Sequence, residues 1–280
     1  MSATVAVLGP GAVGGALAVR LAHAGRRVVC VATPKTAAAI RAEGLTLQAP
    51  DGTLTERTEA VERLEQPVDL LLVTVKAPDL AAALGRIDGL PALVVPLLNG
   101  LEHMDALRAR LGRRVAAGSI GRFEARRDGA ARIVQMSGTA RITAPAQAAG
   151  ILRVPGLDVR VDDDERRVLW EKLARLAPIA ALTALRGSPL GQLRDDPDLR
   201  AAVEEACAVA NADRAETSVT EQWAVIESLP AGLITSAARD VTAGRPSELD
   251  ALIGAVVRAG RRLGVPTPTL DRLEAECRAL

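Results

Sequence analysis

The chain has 280 residues, a net charge of +1, 49% hydrophobic residues and 25% charged residues, ordinary globular values for a chain long enough to form two domains. The near-neutral charge excludes the basic footprint of a nucleic-acid or anionic-membrane binder, and 1% aromatics exclude a stacking platform for single strands. Three dispersed cysteines, Cys30, Cys207 and Cys277, form neither a disulfide framework nor a zinc-binding pattern.

The first strand-like run begins at Thr4, which leaves no space for a signal peptide. No apolar run reaches the roughly 18 residues of a membrane span. A cytoplasmic protein is expected. In chain order, Val5 to Leu8 is an apolar run typical of a strand buried on both faces, followed by a helix over Ala12 to Ala24. A second strand covers Arg27 to Val31, and a helix beginning at Pro34 stops at Gly44. Leu45 to Thr55 reads as a hairpin around Pro50-Asp51-Gly52. Further strands are expected over Asp69 to Val75, Ala92 to Val95 and Val115 to Gly118, with helices over Pro78 to Arg86 and Leu101 to Leu111, and a second hairpin around Asp128-Gly129. Strands alternating with helices imply right-handed crossovers and a mostly parallel sheet.

The pattern changes at Asp162-Asp163-Asp164, an acidic run suited to a helix N-terminus. Helices are expected from there on, over Asp164 to Leu185, Pro197 to Arg214, Thr220 to Ser228, Ile234 to Thr242, Ser247 to Leu263 and Thr267 to Arg278. The fold class is therefore α/β: a Rossmann-type domain over residues 1–162, then an all-α domain over residues 163–280.

Gly9-Pro10-Gly11-Ala12-Val13-Gly14 is a GxGxxG directly after a strand and opening a helix, the context that makes the motif informative. Gly9 permits the tight turn, Gly11 lets a pyrophosphate approach the backbone, and Gly14 lets helix and strand pack closely. The helix N-terminus supplies amide donors to the phosphates. The second strand ends in Val31-Ala32-Thr33-Pro34-Lys35, without the acid that holds the ribose hydroxyls of NAD. Thr33 and Lys35 suit a 2′-phosphate, which favours NADP (NADPH as the reductant); Lys35 also reads as an ordinary solvated lysine.

Lysine is rare in this arginine-rich chain, occurring only at Lys35, Lys76 and Lys172. Lys76 follows a buried strand, on the side of a parallel sheet where ligands bind, or else it snorkels from the strand end. Asn99, in Leu97-Leu98-Asn99-Gly100, offers a donor and an acceptor to a ribose or a substrate, although Asn-Gly is also a common turn. Lys172 lies in the apolar helix Trp170-Glu171-Lys172-Leu173-Ala174-Arg175. On the buried side its pKa would fall and suit it to proton transfer near neutral pH, a task arginine does not perform. An outward-facing surface lysine is the other reading.

Taken together, GPGAVGG, TVKA, LLNG, WEKLA, the segment from Ser236 to Asp250 and the closing GVPTP make the chain resemble the ketopantoate reductase (2-dehydropantoate 2-reductase) family from about Val5 to Leu280. The resemblance implies NADPH-dependent reduction of a small-molecule 2-oxo acid. It implies Lys172 as general acid and Glu248 as the acid that binds the substrate hydroxyl, orders the site and touches the cofactor side. Ser236 is implied as the hydroxyl on the substrate carboxylate, with Asn99 and Lys76 as polar contacts to cofactor and substrate. It also implies a helical domain like the C-terminal domain of 6-phosphogluconate dehydrogenase, with the site between the domains. Ketopantoate is the leading substrate.

The chain departs from the family pattern one and two turns beyond the lysine, where Leu176 and Ala180 replace substrate-binding asparagines. A less polar 2-oxo acid is therefore an open alternative, as are an opine- or imine-type reductase, a 3-hydroxyacid dehydrogenase and an NADPH-sensing binding protein without turnover. No metal site is expected. The sequence is compatible with a homodimer and does not fix the assembly.

Overall fold

The computed structural model describes residues 2–121 and 123–280. The chain divides into two compact units, Met1–Leu98 with His103–Glu165, and Asn99–Glu102 with Arg166–Leu280.

In chain order, the first unit contains β1 (Thr4–Leu8), α1 (Ala12–His23), β2 (Arg27–Val31), α2 (Pro34–Glu43), β3 (Leu45–Ala49), β4 (Gly52–Glu56), β5 (Glu59–Val61) and β6 (Leu70–Val73). A 3₁₀ turn (Ala77–Asp79) leads into α3 (Leu80–Leu84), β7 (Leu93–Pro96) and α4 (His103–Leu111). The unit closes with β8 (Ser119–Gly121), β9 (Ala125–Arg127), β10 (Arg132–Gln135), β11 (Ala140–Ala144), α5 (Ala146–Leu152) and β12 (Leu157–Val161).

Five strands form one sheet in the order β5-β2-β1-β6-β7, with every neighbouring pair parallel. Strands β1, β6 and β7 are nearly continuous apolar runs because helices and further strands cover both faces, leaving no solvent face to encode as alternation. Helix α1 carries Leu17, Val19 and Leu21 into a core shared with Leu45, Leu47 and Ile133 from the second sheet, β4-β3-β10-β9. Arg20 on the same helix is buried, and its guanidinium reaches Asp51 at 2.9 and 3.0 Å and Gln135 at 3.3 Å. A third sheet, β12-β11-β8, completes the unit.

Both expected hairpins form. The expected strand over Val115 to Gly118 does not. Val115 makes a single bridge to Val94, and the strand begins later, at Ser119. Gly118 explains the offset: a Cβ there would sit 2.4 Å from Val95 Cγ1, so the segment crosses close to β7 rather than pairing along it. The expected Pro78 to Arg86 helix is shorter, a 3₁₀ turn followed by α3.

His103, the first residue of α4, is buried, and neither ring nitrogen has a hydrogen-bond partner. Desolvation pushes its pKa down to about 4. The folded protein thus keeps His103 neutral while the unfolded chain takes up a proton below about pH 6.5. Stability should fall as pH drops from 6.5 through 4, by roughly 3 kcal/mol at the limit from this residue. Urea unfolding of the parent and His103→Leu at pH 7 and pH 4.5 checks this: the variant should lose less stability on acidification.

The second unit is helical: α6 (Glu165–Arg186, whose first residue clusters with the first unit), α7 (Leu190–Leu193), α8 (Pro197–Ala212), α9 (Val219–Ser228), α10 (Ser236–Thr242), α11 (Ala255–Leu263) and α12 (Pro268–Cys277). Helix α6 buries Trp170, Leu173, Ala177, Ala180 and Ala181 against residues of α8 and α11 such as Val203, Val256 and Val257. The expected helix from Ser247 differs at its start, where Asp250–Gly254 forms a π turn before α11. Among the described residues, no helix is long and apolar enough to cross a membrane.

Candidate functional site

In a five-stranded parallel sheet all the carboxyl ends lie along one edge, where ligands of such sheets bind. That edge carries the glycine turn after β1, Ala32 and Thr33 after β2, and Thr74 to Lys76 after β6. Gly9 has φ +84°, and a Cβ there would lie 2.4 Å from Val75 Cγ1. A Cβ at Gly14 would lie 2.1 Å from Thr74 Oγ1 and 2.5 Å from the Gly9 carbonyl oxygen. Both glycines are required by the fold itself. Gly11 differs: the nearest heavy atom to its Cβ position is the Gly9 carbonyl oxygen, 3.9 Å away.

The open side of Gly11 lies at the start of α1, whose N-terminus has no side-chain cap. First-turn amides of a helix lack intrahelical acceptors. A backbone approachable at Gly11, leading to the uncapped helix opened by Ala12 and Val13, fits a dinucleotide pyrophosphate. Thr74 is a positioning residue that motif reading passed over. Its hydroxyl donates to the carbonyls of Leu8 at 3.1 Å and Gly9 at 2.8 Å, tying the turn to β6.

At the end of β2, Thr33 caps α2, accepting from Thr36 N at 3.4 Å, and Lys35 is exposed in the first turn. Arg86 joins them: its Nη1 donates to the Ala32 carbonyl at 3.1 Å and the Glu62 carbonyl at 3.3 Å. Nothing local in the sequence marks this arginine, which is 54 residues from Ala32. Lys76 is exposed at the head of the 3₁₀ turn after β6.

The second unit brings Asn99, Lys172 and Glu248 together. Lys172 Nζ donates to Asn99 Oδ1 at 2.7 Å, and Asn99 Nδ2 donates to Glu248 Oε2 at 3.2 Å. The amide therefore presents its acceptor to the ammonium and its donor to the carboxylate. Burial and the positive charge of Arg175 lower the Lys172 pKa to about 8, against the opposing pull of Glu248. Gly100, at φ +92°, allows the close approach that seats Asn99: a Cβ there would come within 2.3 Å of the Ala251 carbonyl oxygen in the π turn. Arg258 clamps the same segment, binding Glu102 through two bonds of 2.7 and 2.8 Å and Asp250 at 2.8 Å. Sequence reasoning missed this clamp.

Ser236 is the exposed first residue of α10, and no described contact joins it to the Lys172 chain. The link to the Glu248 segment comes instead from Ser247, whose hydroxyl donates to the Ala237 carbonyl at 3.0 Å. Asp240, buried in α10, is structural, pairing with Arg245 at 2.8 Å. Leu176, one turn beyond Lys172, is partly exposed, whereas Ala180 is fully buried.

A glycine turn that opens a helix in one unit and a buried lysine joined through an amide to a carboxylate in the other suit a nicotinamide-dependent oxidoreductase acting on a CH–OH/C=O pair. The model of the family described as ketopantoate reductase PanE/ApbA matches residues 5–148, and that of its C-terminal part matches residues 164–280. The 2-dehydropantoate 2-reductase of Caulobacter vibrioides is 33% identical over 95% of this chain and 94% of its own length. That of Mycobacterium tuberculosis is 31% identical over 98% and 96%. The crystal structure of a PanE/ApbA family ketopantoate reductase from Ralstonia eutropha JMP134 is 30% identical, covers 99% of this chain and 97% of its own, and has a TM-score of 0.85. The chain belongs to the ketopantoate reductase family.

Proposed function

We propose that the protein reduces ketopantoate to pantoate with NADPH in the cytoplasm. The observation that carries this reading is the Lys172–Asn99–Glu248 chain, with a lysine pKa of about 8. At neutral pH the lysine is still protonated but not strongly basic, which is the condition for a general acid. Gly9 to Gly14 hold the pyrophosphate, and Thr33 and Lys35 read the 2′-phosphate. Lys76, Asn99 and Glu248 make the remaining polar contacts to the cofactor.

When bound, the reduced nicotinamide supplies the hydride for the carbonyl carbon. Lys172 hydrogen-bonds the carbonyl oxygen, polarises it and delivers its Nζ proton as the alkoxide forms. Asn99 holds the ammonium in place, and Glu248 balances its charge and binds the substrate hydroxyl. Ser236 bonds the substrate carboxylate. Lys76 and Asn99 orient the rest of the oxo acid.

A second reading rests on Leu176. Its partly exposed apolar side chain lies one turn from Lys172, and an apolar wall favours an oxo acid with an aliphatic or aromatic substituent over a hydroxylated one. The experiment follows NADPH absorbance with ketopantoate, with 2-oxo acids of increasing hydrophobicity, and with NADH in parallel. Rapid oxidation with ketopantoate and NADPH is expected. Turnover confined to apolar oxo acids would replace ketopantoate as the substrate, and no turnover with any of them would remove the reductase reading.

A further inference from the structure

A 2-oxo acid carries a carboxylate beside its carbonyl, and taking that charge out of water requires a paired cation. A serine hydroxyl supplies a hydrogen bond but no charge. Lys172 is committed to the carbonyl oxygen and to Asn99 in the mechanism above. Arg258 is engaged by Glu102 and Asp250, and Arg245 by Asp240.

Arg175 is placed differently. It lies three residues beyond Lys172, about 60° round the helix. Between Trp170 and Ala177 the residues that are not buried are Glu171, Lys172, Arg175 and Leu176, so lysine and arginine share the open face of α6. Arg175 is close enough for its charge to lower the lysine's pKa. Its Nη1 is fixed by Gln222 Oε1 at 2.9 Å and by the Glu171 carbonyl. Gln222 is itself only 4% exposed, a rigid support from α9. The Glu171 carboxylate also acts on the guanidinium through its charge, and among the described residues the hydrogen bonds engage Nη1 alone, which leaves Nη2 and Nε as donors for a ligand. A planar fork with one corner anchored is suited to a carboxylate. Neither Leu176 nor Ala180, the next positions on the lysine's own face, offers a competing hydrogen bond.

Building on the reductase reading, we infer that Arg175 is the residue that ion-pairs the carboxylate of the 2-oxo acid, with Gln222 holding its guanidinium in place. The site takes a compact α-keto carboxylate, whose two oxygen functions divide between Arg175 and Lys172.

The test is direct titration of the purified full chain with oxalate, a small dicarboxylate probe of that geometry, with and without NADP. Arg175→Gln and Arg175→Lys are titrated alongside, and thermal melting confirms that each is folded. The parent should bind oxalate, Arg175→Gln should bind at least about thirtyfold more weakly, and Arg175→Lys should fall between them, because truncating one partner of a desolvated charge pair acts mainly on affinity. In steady state near pH 7, where Lys172 is protonated with or without the neighbouring charge, the oxo-acid KM should rise by more than kcat changes. Equal oxalate binding by parent and both variants, or no binding by the parent under either condition, overturns the assignment. Should Arg175→Gln fail to fold, Arg175→Lys decides alone. The two readings fail separately: ketopantoate reduction with oxalate binding indifferent to Arg175 removes only this inference. Arg175-dependent oxalate binding without oxo-acid turnover removes only the reductase reading.

Discussion

Lys172→Ala is expected to lower turnover about a thousandfold while changing the dissociation constant for NADPH less than about threefold. Losing a positioned general acid typically costs about 10²–10⁴ in rate, and in the proposed mechanism this lysine also polarises the carbonyl. The glycine turn proposed to hold the phosphates belongs to the other unit. Lys172→Arg should not restore the rate, because a guanidinium keeps its proton throughout the accessible pH range. The pH profile follows from the same residue. With a pKa of about 8, the lysine is charged below that value and neutral above it, so kcat/KM for reduction should fall as pH rises past about 8. Steady-state kinetics from pH 6 to 10, with NADPH binding followed by fluorescence, check both statements. Turnover of the alanine variant within tenfold of the parent would remove Lys172 from proton transfer.

The elements legible in the sequence are those whose physics is local. The strands Thr4–Leu8, Arg27–Val31, Leu70–Val73 and Leu93–Pro96 are legible as unbroken apolar runs, because burial on both faces needs no alternation. The glycine turn is legible from its spacing between a strand and a helix, a pattern in which Gly9 and Gly14 meet steric demands of the fold and Gly11 leaves the backbone open. Lys172 stands out as a lysine in an apolar helix of an arginine-rich chain. The strands Glu59–Val61 and Leu157–Val161 pass unnoticed because each lies at a sheet edge and mixes charged residues into a partly exposed run, Glu59–Val61 being only three residues long as well. Helix Leu190–Leu193 is a single turn that builds no periodicity.

The pairing of Asn99 with Glu248, 149 residues apart, leaves no mark in either segment. Only the resemblance to a family put both residues in one site. The Arg258 clamp, 156 residues from Glu102, had no such guide. Its arginine reads as one more charge on the polar face of a helix. The π turn at Asp250–Gly254 was equally hidden, because Ala251 and Leu252 favour a helix, an acid such as Asp250 suits a helix start, and only the wider hydrogen-bond ring distinguishes the segment. In both cases the missing information concerns the path of the chain beyond the helix, on which propensity is silent.

Gly11→Ala and Gly14→Ala should fail in opposite ways, although both glycines belong to one six-residue motif. At Gly11 the backbone lies at φ −80°, a value any residue adopts, and the added methyl would meet nothing nearer than 3.9 Å. Its thermal midpoint should stay within about 2 °C of the parent, as for substitutions away from packed features. The methyl does occupy the space through which a pyrophosphate reaches the backbone, so NADPH affinity should fall about a hundredfold. At Gly14 the methyl would overlap Thr74 Oγ1 and the Gly9 carbonyl, and the latter is backbone that cannot rotate away. Overpacking of this kind costs about 1–3 kcal/mol or more, so its midpoint should drop by roughly 5 °C or more, with the turn and the first-unit core loosening together. Calorimetric melting and NADPH titration of both variants separate the two effects. A Gly11→Ala protein that melts normally and binds NADPH as the parent does would mean that the pyrophosphate lies elsewhere, whatever the motif suggests.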